Sequence, residues 1–144
     1  MIGFVIFEDH SMKLTNKSEY ALLALIHLAR CGDDAFISVK TIADSQHIPS
    51  KFLEQILLTL KRGGYVKSSK GHGGGYRLAK RRESITIAEI IRLIDGALAP
   101  TESVSVYFYG RTPIEKERAL VDLFRGIRDM VASKLECTTL ADVV

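Results

Sequence analysis

Four histidines and two cysteines are the side chains of this sequence best suited to nucleophilic or metal chemistry, and their spacing gathers none of them into a site. His10, His27, His47 and His72 are scattered, and no serine or cysteine nucleophile stands in a recognisable local motif. Cys31 and Cys137 form no CxxC pair, and their number fits a reducing compartment better than a disulfide framework. One local pair exists. His27 and Cys31 are four residues apart, which places them on one helix face where two metal ligands would lie. Core packing is the commoner use of such a pair in an apolar helix. The expectation is a protein that is not an enzyme and holds no metal.

What the sequence does concentrate is charge. The whole chain of 144 residues carries a net charge of only +3. Residues 38–82 hold Lys40, Lys51, Lys61, Arg62, Lys67, Lys70, Arg77, Lys80, Arg81 and Arg82 against only Asp44 and Glu54, hence +8, and the remainder carries −5. A solvated surface usually mixes the signs, so this segment has the electrostatic footprint of a phosphate-binding face. An apolar fraction of 47% supplies a core for one compact domain with an appended element.

The elements that position these charges follow from caps and periodicity. Thr15 caps a helix through Tyr20, Leu23, Ile26 and Leu28 towards Cys31, with Gly32 as its stop. Ser38 caps a second, with Val39, Ile42 and Ala43 inward, fading near His47 before Ile48-Pro49 breaks it. A third begins at Pro49 or Ser50. Phe52, Leu53, Ile56, Leu57 and Leu60 form its apolar stripe, and Gly63-Gly64 ends it. The period then becomes extended: residues 65–69 and 76–78 read as two strands, joined by the flexible turn Lys70-Gly71-His72-Gly73-Gly74-Gly75. Helix, turn, helix and hairpin in that order make a winged helix-turn-helix.

Beyond it, Thr86 and Glu89 form a capping box with Ile85 and Ile90 as its hydrophobic staple, opening a helix to Asp95 and Gly96. Residues 97–111 form a loop with Val104, Val106, Tyr107, Phe108 and Tyr109, unusually apolar for an exposed connection. Thr112-Pro113-Ile114-Glu115 has the form of a second capping box with proline at its start, so a long helix is expected over Pro113 to Leu135. Leu120, Phe124, Ile127 and Val131 repeat there at spacings of four and three. They can pack on their own domain, but a long amphipathic helix outside a small domain more often pairs two protomers. Thr139 caps a last short helix. The fold class is therefore mainly α with a small β wing, a winged helix-turn-helix plus a long C-terminal dimerisation helix. The domains are an N-terminal extension at 1–11, the winged domain at 12–82, and a connecting helix, effector loop and dimerisation helix at 83–144. The extension reads as a short strand or as residues upstream of a functional start at Met12. No stretch approaches the ~20 apolar residues of a membrane span, and the expected location is the cytoplasm.

In a helix-turn-helix the second helix enters the major groove while the first braces it across the backbone. Pro49, Ser50 and Lys51 can reach base edges or phosphates, Glu54 can accept from cytosine N4, and Gln55 can pair with adenine. A nucleotide-cradling glycine loop needs a helix after it, whereas strands flank this one on both sides. A wing tip with Lys70 and His72 suits the narrow, negative minor groove. The partners expected are double-stranded DNA and a second copy of the chain. A winged-helix protein-interaction module without DNA binding is the alternative, disfavoured by the +8 segment.

Three stretches together carry a resemblance: residues 13–21 (KLTNKSEYA), 48–55 (IPSKFLEQ) and 70–78 (KGHGGGYRL). From Met12 onward the chain resembles the Rrf-type regulators, which include an iron–sulfur cluster regulator, a nitric-oxide-sensing repressor and a cysteine-metabolism repressor. The resemblance implies a homodimeric regulator, expected to be a repressor, paired through its long C-terminal helix on a partly palindromic operator. It places Pro49, Lys51 and Glu54 at base-reading positions and Lys70 at the minor-groove position of the wing. Cluster-binding members carry three cysteines in the loop before the long helix, and here residues 97–111 contain none. The chain thus resembles the clusterless branch, nearest in pattern to the cysteine-metabolism repressor, and no iron–sulfur cluster is expected. In place of thiols the loop offers aromatic and apolar side chains, which can line a small-molecule pocket, dock a protein effector or pack on a neighbouring protomer.

Overall fold

The computed structural model describes residues 14–144, so the N-terminal extension lies outside the described residues. Its element order is α1 (Asn16–Cys31), α2 (Val39–Gln46), α3 (Ser50–Arg62), β1 (Val66–Ser69), β2 (Gly75–Leu78), α4 (Ile87–Asp95) and α5 (Arg118–Glu136). This is a winged helix-turn-helix followed by a connecting helix and a long terminal one. No helix among the described residues is long and apolar enough to cross a membrane.

The caps do what their chemistry dictates. Thr15 Oγ1 accepts from Ser18 N at 3.1 Å, and Ser38 Oγ accepts from Thr41 N at 3.1 Å. Thr86 Oγ1 accepts from Glu89 N at 3.2 Å while Glu89 accepts from Thr86 N at 2.7 Å, the reciprocal pair of a capping box. His47 ends α2 in the left-handed conformation (φ 55°), and Ile48 and Pro49 then turn the chain into α3.

One core holds these elements together. Ala21, Ala24, Leu25 and Leu28 of α1 meet Ile42 of α2, and Leu53, Ile56, Leu57 and Leu60 of α3 fill the same layer. Ile85 and Ile90, the hydrophobic staple, are both fully buried there. The wing's strands pair antiparallel, Val66 opposite Leu78 and Ser69 opposite Gly75. Ile37 joins the hairpin by a single antiparallel bridge: its N–H donates to Tyr76 O and its carbonyl accepts from Tyr76 N, both at 2.8 Å. The C-terminal segment returns to this body. Ile87 N donates to Thr138 O at 2.9 Å, Leu140 N donates to Ile85 O at 2.8 Å, and the fully buried Leu140 completes the core.

Two expectations are corrected. The long helix begins at Arg118, not Pro113, because residues Pro113–Lys116 form a separate 3-10 turn that breaks at the extended Glu117. Thr112 caps nothing. Its hydroxyl donates to Ser103 Oγ at 2.8 Å, and Glu115 is taken by the Tyr109 hydroxyl and Arg111, so neither half of a capping box is available. Phe52 is the second. It leaves the apolar stripe of α3, stands 42% exposed and packs edge-on against Tyr20 with centroids 5.8 Å apart. The last helix is a single 3-10 turn, Leu140–Val143, closed by a reciprocal Thr139–Asp142 box.

Candidate nucleic-acid interface

The core fixes which way α3 faces. Leu53, Ile56, Leu57 and Leu60 anchor one side, so Ser50, Lys51, Glu54 and Gln55 stand on the exposed remainder with Pro49 at their head. Among the described residues, Lys51 and Glu54 form no ion pair, which leaves both heads available to a ligand. Pro49 gives α3 no side-chain cap, so the first N–H groups of the helix keep their capacity to donate to an anion. The turn that precedes it is set by the core residue Ile48.

The wing is held beside this helix by glycine. A Cβ on Gly75 would lie 2.1 Å from Ile37 O, and one on Gly74 would lie 2.5 Å from Ser69 O, so glycine is what lets the hairpin turn tightly and close onto Ile37. Gly71 and Gly73 adopt positive φ (88° and 74°) in open space, with His72 exposed between them and Lys70 exposed just before. The structure thus places all seven sequence-derived DNA-contact candidates on the exposed surface of α3 and the wing tip.

Not every base in the +8 segment faces outward to a ligand. Arg77 stacks its guanidinium 4.5 Å above the Phe36 ring and donates to Asp33 O at 3.5 Å, and Lys80 lies 4.6 Å above the Tyr65 ring. Arg81 and Arg82 both approach Glu83, at 3.6 and 3.5 Å. The Glu83 carboxyl is held below its ordinary range, first by a backbone hydrogen bond and then by these two arginines. The half-buried Arg77 therefore supports the wing's fold, while Lys51, Lys67, Lys70 and Lys80 stay exposed.

A second site lies behind the 97–111 loop. Val104 is buried, and its carbonyl accepts from Arg128 of α5 at 2.7 Å, which ties the loop to the long helix. Arg92 of α4 pairs with Glu136 of α5 at 2.5 Å and lies 4.9 Å above the Tyr107 ring. Together with Val106, Phe108 and Arg128 these residues line a cavity of about 430 Å³. Val106, Tyr107, Phe108 and Tyr109 are all exposed. The sequence pattern pointed to the loop's aromatics but gave no sign of Arg92 or Arg128, which sit on distant helices and meet only in the fold.

The long helix is the least satisfied element. None of its residues is buried, although its sequence is amphipathic. Leu120 and Val131 of the proposed seam are exposed, Phe124 and Ile127 are half-buried within the chain, and Leu123 and Met130 extend the exposed apolar surface.

The family described as Rrf2, an iron-dependent transcriptional regulator, matches residues 14–144. An HTH-type transcriptional regulator of Mycobacterium tuberculosis is 38% identical over 133 residues, covering 92% of this chain and 81% of that protein. The HTH-type transcriptional regulator CymR of Bacillus subtilis is 34% identical over 132 residues, covering 92% and 89%. The solved structure of CymR, titled the global cysteine regulator of that organism, superposes with a TM-score of 0.79 at 33% identity over 91% of this chain and 95% of that one. The IscR structure from T. potens superposes at 0.70 with 27% identity, over 91% and 85%.

The iron in the family's description requires a ligand set, and among the described residues the thiols are not placed to hold a cluster. Such clusters take three or four thiolates, sometimes with histidine replacing some. Cys31 ends α1 with its Sγ 3.6 Å from His27 Nε2, and Cys137 follows α5 at the edge of the cavity. Among the described residues no three His, Cys, Asp or Glu side chains gather as metal ligands would.

Proposed function

We propose that this chain, which belongs to the Rrf2 family of transcriptional regulators and is a DNA-binding protein rather than an enzyme, acts as a homodimeric repressor on a partly palindromic operator. The observation that carries the reading is the exposed face of α3, headed by Pro49 and bearing Ser50, Lys51, Glu54 and Gln55, with Lys70 and His72 on a wing beside it. α3 enters the major groove, where Glu54 accepts from a cytosine N4 and Gln55 pairs with an adenine edge. Lys51 and the wing residues Lys70 and His72 meet phosphates and the minor groove, which positions the protein.

Dimerisation rests on α5. A 19-residue amphipathic helix with no fully buried residue leaves several apolar side chains without cover. A second copy supplies it through Leu120, Phe124, Ile127 and Val131, with Leu123 and Met130 beside them. Two winged domains related by a two-fold axis then read two inverted half-sites. Where the operator overlaps a promoter, a dimer seated in both grooves excludes polymerase, and this is the repressor reading.

The chain works without an iron–sulfur cluster or other cofactor, and its signal enters at the 97–111 loop. The cavity supports a small-molecule effector: it spans the loop, α4 and α5, and so adjoins both the DNA-binding body and the dimer helix. Recovery of bound fragments from sheared genomic DNA tests the whole reading. Fragments sharing two inverted half-sites support it, and fragments with one unrepeated motif contradict the homodimer.

A further inference from the structure

The direction in which α3 meets a ligand is opposite its buried row. Leu53, Ile56, Leu57 and Leu60 define that row. At ~100° per residue, the opposite meridian falls on Lys51, Gln55, Leu58 and Arg62. Three of these are polar or charged, as an outward face should be. The fourth is Leu58, 44% exposed and outside the core cluster. A solitary exposed leucine elsewhere would need no explanation. Here it stands in line between the outward-facing Gln55 and Arg62, on the face proposed to meet DNA and outside the buried core.

The major groove offers one apolar complement to such a row, the 5-methyl group of thymine. We propose that Leu58 is a specificity-determining residue that packs on a thymine methyl in the operator. The inference rests on α3 being the major-groove helix. The helix rises ~10 Å from Lys51 to Leu58, about three base-pair steps at ~3.4 Å each. Leu58 thus selects a base pair beyond the reach of Lys51 and adds a thymine to each half-site. Gln55 and Arg62, one turn to either side, flank the methyl and exclude water from it.

Uracil is thymine without the methyl, and it pairs identically with adenine. Each thymine of a genome-selected operator is replaced singly by uracil, and binding is measured for the parent, Leu58→Ala and Leu58→Met. Burial of one methyl corresponds to about 0.8 kcal/mol, or about fourfold in affinity. The parent is expected to lose about fourfold at one thymine per half-site. Leu58→Ala is expected to bind thymine and uracil operators equally at that position, and Leu58→Met to keep most of the difference. Because Leu58 lies outside the core, both variants should match the parent's melting temperature. Operator binding that is selective yet indifferent to every thymine methyl overturns the inference, as does a uracil penalty undiminished in Leu58→Ala. A parent that binds no fragment selectively removes the major-groove reading itself, and the inference with it.

Discussion

Replacing Gly75 with alanine should detach the wing. The added Cβ would lie 2.1 Å from Ile37 O, 2.3 Å from Ile37 C and 2.7 Å from Ser38 N, all backbone atoms, pinned by the Ile37–Tyr76 bridge and the N-cap of α2, that cannot rotate aside. Relief requires the hairpin to withdraw, which breaks both 2.8 Å bonds between Ile37 and Tyr76. Each backbone hydrogen bond contributes about 1 kcal/mol net. The positive φ of 152° is unfavourable for a side chain and adds about 1–2 kcal/mol. The total is roughly 3–4 kcal/mol, or on the order of 10 °C in melting temperature for a chain of this size. Gly73→Ala is the matched control. It also has positive φ (74°), but nothing lies within 4 Å of its Cβ, so only the backbone cost remains. That is about 1–2 kcal/mol, or about 3–6 °C. Thermal unfolding of both variants at one protein concentration, followed by circular dichroism, separates the two contributions. Equal losses of stability would refute the argument that close approach to Ile37, rather than backbone conformation, demands glycine at this position.

Met130→Glu places a charge on the most exposed apolar position of α5. It should leave the monomer fold intact while dissociating the dimer at micromolar concentration by light scattering. Phe124→Glu should cost several kcal/mol in addition, since Phe124 is also half-buried within the chain. Glu54→Ala should relax preference at one operator base pair by about 1–3 kcal/mol, whereas Lys61→Ala should at most weaken all sequences alike, as binding profiles over randomised duplexes would reveal. The Tyr65 hydroxyl is pushed above its ordinary 10.0, first by burial and then by Glu89. Its neutral form is favoured in the folded state, so this contribution is intact below pH 10 and is lost as pH rises through the folded value; Tyr65→Phe should flatten that alkaline decline in urea titrations. Protein purified without oxygen should lack visible absorption and stoichiometric iron and sulfide. A brown preparation that loses its colour in Cys31→Ala or Cys137→Ala would contradict the clusterless reading.

The winged helix-turn-helix was legible because each of its signals is local. Thr15, Ser38 and Thr86 cap from adjacent positions, and the leucine–isoleucine row of α3 needs only a period. The residues misread were governed by contacts across the fold. Thr112 and Glu115 have the form of a capping box, but Ser103, Tyr109 and Arg111 hold their side chains in the loop. Phe52 fits the apolar stripe by type, yet Tyr20 holds it at the rim of the core instead of inside. The cavity was half legible. Its aromatics are consecutive in sequence, while Arg92 and Arg128 reach it from helices that only tertiary packing brings together. Leu58 was left out of the apolar stripe of α3 by its period, but sequence alone gave no sign that it stands exposed in line with Gln55 and Arg62.

Sequence-selective DNA binding through α3 and the wing is accessible to competition at controlled salt. A genome-selected fragment and a scrambled duplex of equal length are titrated with the protein from about 50 to 200 mM salt, a range over which phosphate contacts should weaken both with a slope near −0.9 per contact in log K against log salt. The selected fragment should keep an advantage of at least about 10³-fold at the physiological end, and Lys51→Ala and Lys70→Ala should each reduce the salt slope by about one contact. Equal affinity for the two duplexes at physiological salt would contradict sequence-selective binding.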